Sequence, residues 1–236
     1  MSSKARRRPF NVTEFETFFN GWLVRQEEYS QELRSALQTR ETVADNDVLR
    51  ELITRVLAHY QQYYEQKSRI ANYDVSLVFS PPWFSAFERS FFWIAGFKPG
   101  LAFRIVSSSV DDMDTDQVER MERLTVETKA EERELENEMA RIQESVAAPP
   151  IVEVVRRMEY GRNVDGMYND MARATEGLRG EMEVVLANAD MLRSRTAERV
   201  VEILSPVQNV KFLAAVAELQ LKIRMWGWQI DGDRRR

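Results

Sequence analysis

The sequence predicts an all-α protein, a single domain of long amphipathic helices packed as an irregular helical bundle. Apolar residues recur at three- and four-residue spacing along most of the chain, which is the period of one helix face. No segment shows the alternation of a half-buried strand. The 236 residues are 44% hydrophobic and 30% charged, as in a globular domain with a sizeable core. We expect the domain over residues 10–233, with a disordered basic tail at 1–9 and a second basic tail at 234–236.

Two long amphipathic helices come first along the chain. Residues 15–37 place aromatic residues and leucines, including Trp22, at helical spacing on one face. A second helix is predicted over residues 48–64, where leucines, valines and tyrosines recur at the same period. Asp45 and Asp47 precede its apolar stripe and are candidates for its N-terminal cap.

The stretch FSPPWFSAFERSFFWIAGFKPG, residues 79–100, is termed the aromatic segment here. Its adjacent prolines must end any helix, because each lacks an amide donor. Ser85 and Glu88 have the spacing of a capping box, which predicts a new helix reaching to the residue before Gly96. Gly96 suits the left-handed position after a helix end, and a short helix is expected to restart over 101–106. The rings fall on both faces of the predicted helix, which leaves enclosed core and partner interface as alternatives.

Residues 117–148 predict a long, half-exposed helix, since apolar residues recur at helical spacing among many charges. The acids between Asp111 and Asp116 suit the positive end of that helix. They do not match a calcium loop, because Gln117 stands where glycine is required. The apolar stripe of the helix needs cover, either from another helix or from a second copy, so a homodimer is one alternative.

The last third of the chain is also predicted to be helical. A short helix is expected over 151–160, followed by a glycine-containing region over 161–180 whose structure the pattern leaves open. A heptad-like apolar series covers 182–203. Ser205 and Gln208 form a second capping box, with proline at the first helical position. The final helix has apolar residues around much of its circumference, so we expect it to be buried on more than one side.

Charge and apolar runs limit the classes of partner. The net charge is −5, but seven of the 33 basic residues lie in the tips, so the body has 26 basic against 38 acidic residues. Such a body repels phosphates, and no direct nucleic acid binding is expected. No apolar run approaches the roughly 18 residues of a transmembrane segment. We expect a protein of the nucleus and/or the cytoplasm, with the basic tips as solvated ends or as a nuclear-localisation signal.

Candidate catalytic groups are few. The chain has no cysteine, which excludes disulfides and thiolate chemistry, and a single histidine, His59. No glutamate lies three residues before His59, and phosphate-binding glycine loops and the G-x-S-x-G turn are missing. His59 is expected at the edge of the core, with haem or metal binding as the alternative. The sequence therefore predicts a protein that is not an enzyme and has no expected cofactor.

The aromatic segment carries a recognisable pattern, W-x-[ST]-x-x-E-R-x-[FL]-x-W-I-x-G-F-[KR]-P. The residues that meet it are Trp83, Ser85, Glu88, Arg89, Trp93, Ile94, Gly96, Phe97, Lys98 and Pro99. The chain resembles the plant Delay of Germination domain, which is similar to the C-terminal domain of TGA-type bZIP transcription factors. A second match, ILSPVQNVKFLAAVAELQLKIRMWGWQID, resembles the C-terminal element of the same domain.

The resemblance implies an all-helical regulatory domain without a catalytic reaction. Germination members act in seed dormancy and abscisic acid signalling and associate with type 2C protein phosphatases. The bZIP relatives bind coactivators, and the Inaperturate pollen relative helps to set pollen apertures. Three features differ from the family. Only nine residues precede Phe10, too few for a basic region and zipper. His59 is the only histidine, so haem binding is not expected. No acid adjoins Trp22, which leaves phosphatase binding open.

The leading hypothesis is a non-enzymatic adaptor that binds a regulatory protein, such as a type 2C phosphatase, in seed dormancy, seed maturation or abscisic acid signalling. The alternatives are a nuclear cofactor of bZIP factors, a pollen aperture factor of the Inaperturate type, and a sensor of haem or of a small apolar ligand held by the rings near Trp83 and Trp93. The candidate partner-binding residues are Phe18, Phe19, Trp22, Trp83, Trp93 and Phe97.

Overall fold

A computed structural model describes residues 12–38, 46–147, 152 and 164–234. These residues form helices joined by turns, with no strand among them, which confirms the predicted all-α class. The helices are α1 (Val12–Gln38), α2 (Asn46–Ala71), α3 (Ser76–Phe79), α4 (Ala86–Arg89), α5 (Leu101–Ser109), α6 (Thr115–Ser145), α7 (Val164–Ile203) and α8 (Pro206–Arg234). No described helix has the length and apolar character needed to cross a membrane.

Helix α8 is the central element and packs against α1, α2, α4 and α5. It begins with the predicted capping box, in which the Ser205 amide donates to Gln208 Oε1 at 2.9 Å and the Gln208 amide donates to Ser205 Oγ at 3.4 Å. Its apolar side chains enter the core from several sides, and Val210 and Ala217 are fully buried. The expectation that this helix is buried on more than one side is confirmed.

Helices α6 and α7 pair along their lengths. Leu135 and Ile142 of α6 pack against Val185 and Leu192 of α7 in one apolar cluster. Helix α6 starts with a capping box between Asp114 and Gln117, so the acids before it serve as a cap, as predicted. Because α7 covers the apolar stripe of α6 from within the chain, that stripe gives no reason to expect a homodimer.

The sequence predicts a helix from Ser85 to the residue before Gly96, and this prediction is wrong in the length of the helix. The capping box forms, with the Glu88 amide donating to Ser85 Oγ at 3.1 Å, but α4 is only four residues long. The chain then turns, and Ile94 and Ala95 take the left-handed conformation with φ of 42° and 56°. Gly96 was predicted to take the left-handed conformation. Its lack of a Cβ atom instead leaves room for a neighbouring side chain.

The space at Gly96 is filled by the guanidinium group of Arg193 from α7. A Cβ atom on Gly96 would lie 3.0 Å from Arg193 Cζ. Arg193 donates to the carbonyl oxygens of Trp93, Ile94 and Phe97, so the turn is stabilised by a side chain about a hundred residues further along the chain. Local spacing contains no signal for such a contact.

The heptad-like series predicted over 182–203 forms part of α7, which continues through Gly177 and Gly180. Both glycines face solvent, and a Cβ atom on either would meet no other atom within 4 Å. The short helix predicted over 151–160 lies outside the described residues, apart from Val152. The tail at 1–9 lies outside them as well.

Candidate functional site

A cavity of about 570 Å³ lies between α2, α5, α7, α8 and the end of the aromatic segment. Its floor is formed by buried apolar side chains of α5 and α8, among them Ile105, Leu213 and Ile223. Phe92 and Phe97 of the aromatic segment line its side. An apolar hollow of this size is typical of a site for a small molecule.

Three charged side chains form a buried group beside the cavity. Lys67 is 2% exposed and donates to Asp190 Oδ1 at 2.7 Å. Arg193 binds the same carboxylate from one turn along α7. Burial lowers the pKa of Lys67 to about 8, although Asp190 acts in the opposite direction. Lys67 and Arg193 line the cavity, so its wall has a polar strip in an otherwise apolar surface.

A neutral network crosses the cavity wall between α1, α2 and α8. Gln26 Nε2 donates to Tyr60 Oη at 2.5 Å and to Gln220 Oε1 at 3.0 Å. Burial raises the pKa of Tyr60, so its hydroxyl stays protonated. Gln26 Oε1 is buried and has no hydrogen-bond partner among the described residues. The network ties three helices together, and two of its members, Tyr60 and Gln220, also line the cavity.

The first half of the aromatic segment is held by α8. Arg224 Nη1 donates to Glu88 Oε1 at 3.0 Å, and both side chains are buried. The same nitrogen lies 3.3 Å from the carbonyl oxygen of Trp83, and the guanidinium group lies 5.1 Å from the ring centre of Phe19. Glu88 therefore has two structural roles, as the capping-box acid and as the partner of Arg224.

The second half of the segment is held by α6 as well as by Arg193. Trp93 Nε1 donates to Glu136 Oε1 at 2.9 Å, and Lys98 Nζ donates to the same oxygen at 2.5 Å. The Gly100 amide donates to the buried Glu132 at 2.6 Å. Most of the residues that make the segment recognisable thus have an internal partner, and the pattern fixes the path of the chain.

The six candidate partner-binding residues have different exposures. Phe19 and Trp22 are 1% and 0% exposed, so their rings have no surface to present to a partner. The other four, Phe18, Trp83, Trp93 and Phe97, are partly exposed. The structure does not gather the six on one face, because the two buried rings lie in the core shared by α1 and α2.

Exposed rings outside the six candidates include Phe91, Trp226 and Trp228, which are 47%, 44% and 61% exposed. The apolar spacing of the last helix would place Trp226 with buried residues, whereas the structure exposes it. Gly227 packs against Ser85, where a Cβ atom would lie 2.1 Å from Ser85 Oγ, so the tryptophans on either side turn outward. The W-G-W pattern in the sequence could have indicated that these tryptophans are exposed.

His59 is 2% exposed and stacks on the Trp22 ring with 4.4 Å between ring centres. Neither ring nitrogen has a hydrogen-bond partner in the described part of the chain. Burial, with a smaller effect of Arg25, lowers the pKa of His59 to about 4, so the ring is neutral at physiological pH. Over the described ranges no group of acidic or histidine side chains is arranged to hold a metal ion.

The chain is similar in sequence to known plant proteins. The family model described as seed dormancy control matches residues 30–108. Protein ZW2 of Arabidopsis thaliana is 38% identical over 90% of this chain and 96% of its own length. Protein RESPONSE TO ABA AND SALT 1 of the same plant is 36% identical over 89% and 93%. The wheat transcription factor HBP-1b(c38) is 27% identical over 89% of this chain but only 62% of its own length.

The chain is a helical domain that is similar in sequence to part of TGA-type transcription factors. The more similar relatives match this chain over about nine-tenths or more of the length of both proteins, so the family assignment does not depend on a short shared segment. The chain belongs to the DOG1-like family of plant proteins. As a member of this family the protein is a regulator and not an enzyme.

Proposed function

We propose that the protein acts by binding a regulatory protein in abscisic acid signalling linked to seed dormancy and maturation, with a type 2C protein phosphatase as the partner. The name of one relative refers to the response to abscisic acid and salt, and this supports the proposed process. The observation that carries the proposal is the aromatic segment, which is anchored from behind by Arg193, Arg224 and Glu136 while its rings stay partly exposed. A fixed backbone with accessible rings suits binding, because little ordering is needed on contact.

Calorimetric titration of the purified protein with type 2C phosphatases tests this proposal. Phe91→Ala should weaken binding by at least about 30-fold, the effect of removing about 2 kcal/mol from an interface hot spot. Val126→Ala on α6 is the matched control, since Val126 is also an exposed apolar residue, at 68%, and lies away from the segment. Absence of a complex at micromolar concentrations would exclude the phosphatase as the partner.

A second candidate function is that of a cofactor of bZIP factors. In this function the protein acts in the nucleus rather than in the cytoplasm. This function is supported by the similarity to TGA factors over 89% to 90% of the chain. Imaging of a fluorescently tagged protein, with and without abscisic acid, tests it. Exclusion of the protein from the nucleus under both conditions would remove this candidate.

A third candidate is a sensor of a small apolar molecule, and the cavity is the observation that favours it. The rings of the aromatic segment that line the cavity are Phe84, Phe92 and Phe97, whereas the sequence placed Trp83 and Trp93 around the ligand. The fluorescent apolar probe N-phenyl-1-naphthylamine should bind the purified protein. Filling the cavity with Ala102→Phe should weaken probe binding at least about tenfold, because the added ring occupies the same volume.

The matched control for that substitution is Ala140→Phe, since Ala140 is exposed on α6 and does not line the cavity. Circular dichroism should show unchanged helix content in both variants. Equal probe affinity in the two variants would mean that the probe binds elsewhere and that the cavity is not the site.

A further inference from the structure

The cavity has a closed side and an open side. The deepest side chains belong to α5 and α8, where Ile105, Phe212 and Leu213 are 9%, 3% and 3% exposed. Lys98 of the aromatic segment is exposed, but most of the lining residues with high exposure lie on α2 and α7. They include Gln61 and Glu198. The cavity therefore reaches solvent between α2 and α7 and is blocked by packed core in the opposite direction.

A surface groove continues this opening along the same two helices. Gln61, Tyr64 and Ser194 line both the groove and the cavity, so the two hollows adjoin at these side chains. The outer part of the groove is lined by Ser68 and Met191, both of which are exposed. The shared residues identify the place where the inner hollow and the outer hollow meet.

Two of the side chains at this meeting point, Gln61 and Ser194, leave room for a molecule to pass, whereas the Tyr64 ring packs against Tyr63 with 5.6 Å between ring centres. Gln61 is exposed, and its one hydrogen bond among the described residues, to Glu65 at 3.5 Å, is long. Ser194 is small. Lys67 and Asp190 lie beside them and keep α2 and α7 in register through their 2.7 Å ion pair. An exposed side chain with weak partners changes rotamer within nanoseconds, so it does not prevent the passage of a molecule.

We propose that the cleft between α2 and α7, at Gln61, Tyr64 and Ser194, is the entrance through which a small apolar molecule reaches the cavity. This inference rests on the proposed ligand-sensing function. A ligand enters past Gln61 and comes to rest against the apolar floor on α5 and α8. Residues at the entrance control how fast a ligand enters and leaves, whereas residues of the floor control how tightly it is held.

The absence of cysteine from the chain gives a direct test, because one introduced thiol is unique. Gln61→Cys is labelled with a bulky methanethiosulfonate reagent, which blocks the cleft through a disulfide that dithiothreitol removes. Gln62→Cys is the matched control, since Gln62 is the adjacent exposed glutamine and lines neither hollow. Association and dissociation of N-phenyl-1-naphthylamine are measured by stopped-flow fluorescence before labelling, after labelling and after reduction.

The label at position 61 should lower the association and dissociation rate constants together, by about tenfold or more, and change Kd by less than about twofold. Reduction should restore both rates, and the label at position 62 should leave them unchanged. Equal rates for the two labelled variants would overturn the proposed entrance. A slower association that is matched by an equal rise in Kd would also overturn it, because the dissociation rate would then be unchanged. If the unlabelled protein binds no probe, the ligand-sensing function fails, and the entrance fails with it.

Discussion

Replacing Arg193 with methionine removes the group that holds the turn of the aromatic segment. The side chain is 7% exposed. Its Nε donates to the carbonyl oxygen of Phe97 at 2.7 Å, and Nη2 donates to those of Trp93 and Ile94, the latter at 2.9 Å. Its Nη1 donates to Asp190. Methionine has similar bulk and no donor, so the substitution leaves three carbonyl oxygens without this partner.

The expected loss of unfolding free energy is about 3–5 kcal/mol. Hydrogen bonds from a charged donor contribute about 1.5–3 kcal/mol each, and the terms are not additive. Asp190 keeps Lys67 as a partner, so the carboxylate is not left uncompensated. The carbonyl oxygen of Trp93 still accepts from the Gly96 amide at 3.2 Å. Most of the loss therefore comes from the carbonyl oxygens of Ile94 and Phe97.

Urea denaturation followed by circular dichroism measures this loss. With a slope near the upper end of the usual range, about 3 kcal/mol per molar urea, the midpoint should fall by about 1–1.7 M. Arg195→Met is the matched control, because Arg195 lies two residues further along α7 and forms an exposed ion pair with Glu131. Exposed pairs contribute at most about 1 kcal/mol, so its midpoint should fall by about 0.3 M or less.

Two results would refute the reasoning. One is an equal loss of stability in Arg193→Met and Arg195→Met, which would mean that the carbonyl contacts contribute little. The other is full recovery in Arg193→Lys. Lysine keeps the charge but lacks the planar fork that reaches several oxygens at once, so it should recover less than half of the loss.

Other substitutions test the packing and the buried charges. Gly227→Ala should destabilise the protein, because the new Cβ would lie 2.1 Å from Ser85 Oγ, whereas Gly177→Ala on the solvent side of α7 should stabilise it by about 0.5–1 kcal/mol in thermal or urea unfolding. Arg224→Met should cost about 3–5 kcal/mol in the same assay, since it leaves its buried glutamate partner uncompensated. In the native protein His59 takes up its proton near pH 4 and in the unfolded chain near pH 6.5, so stability falls as the pH falls through that window, by at most about 1.4 kcal/mol per pH unit. His59→Phe should remove that part of the pH dependence in urea titrations at pH 4.5 and 7, and an unchanged dependence would contradict the burial of a neutral ring.

The elements that the sequence predicted correctly are those that local chemistry specifies. The capping boxes at Ser85 and Ser205 need only residues three positions apart, and both form. The long helices follow from the period of their apolar residues. The stripe of α6 also predicted a need for cover, but the choice between α7 and a second copy depends on distant packing that a periodic pattern does not contain.

The parts that the sequence missed depend on contacts between distant residues. Ile94 and Ala95 are not residues that favour the left-handed conformation, and they adopt it where Arg193 binds the neighbouring carbonyl oxygens. Arg193 lies on a helix rich in charged residues, and nothing in its spacing separates it from exposed arginines such as Arg195. The sequence analysis placed a small apolar ligand near Trp83 and Trp93 and did not predict the residues that line the cavity, for a related reason: these residues have ordinary core patterns, and a cavity arises from how whole helices are placed.

These contacts change the interpretation of the aromatic segment. Glu88 and Trp93, two of the residues that make it recognisable, bind other parts of the same chain, through Arg224 and Glu136. A match to the pattern therefore identifies the fold, and it does not by itself identify a partner. Partner specificity has to reside in side chains that the fold leaves accessible, of which Phe91 is one. A substitution at Glu88 would weaken any function through stability, whereas Phe91→Ala separates binding from folding.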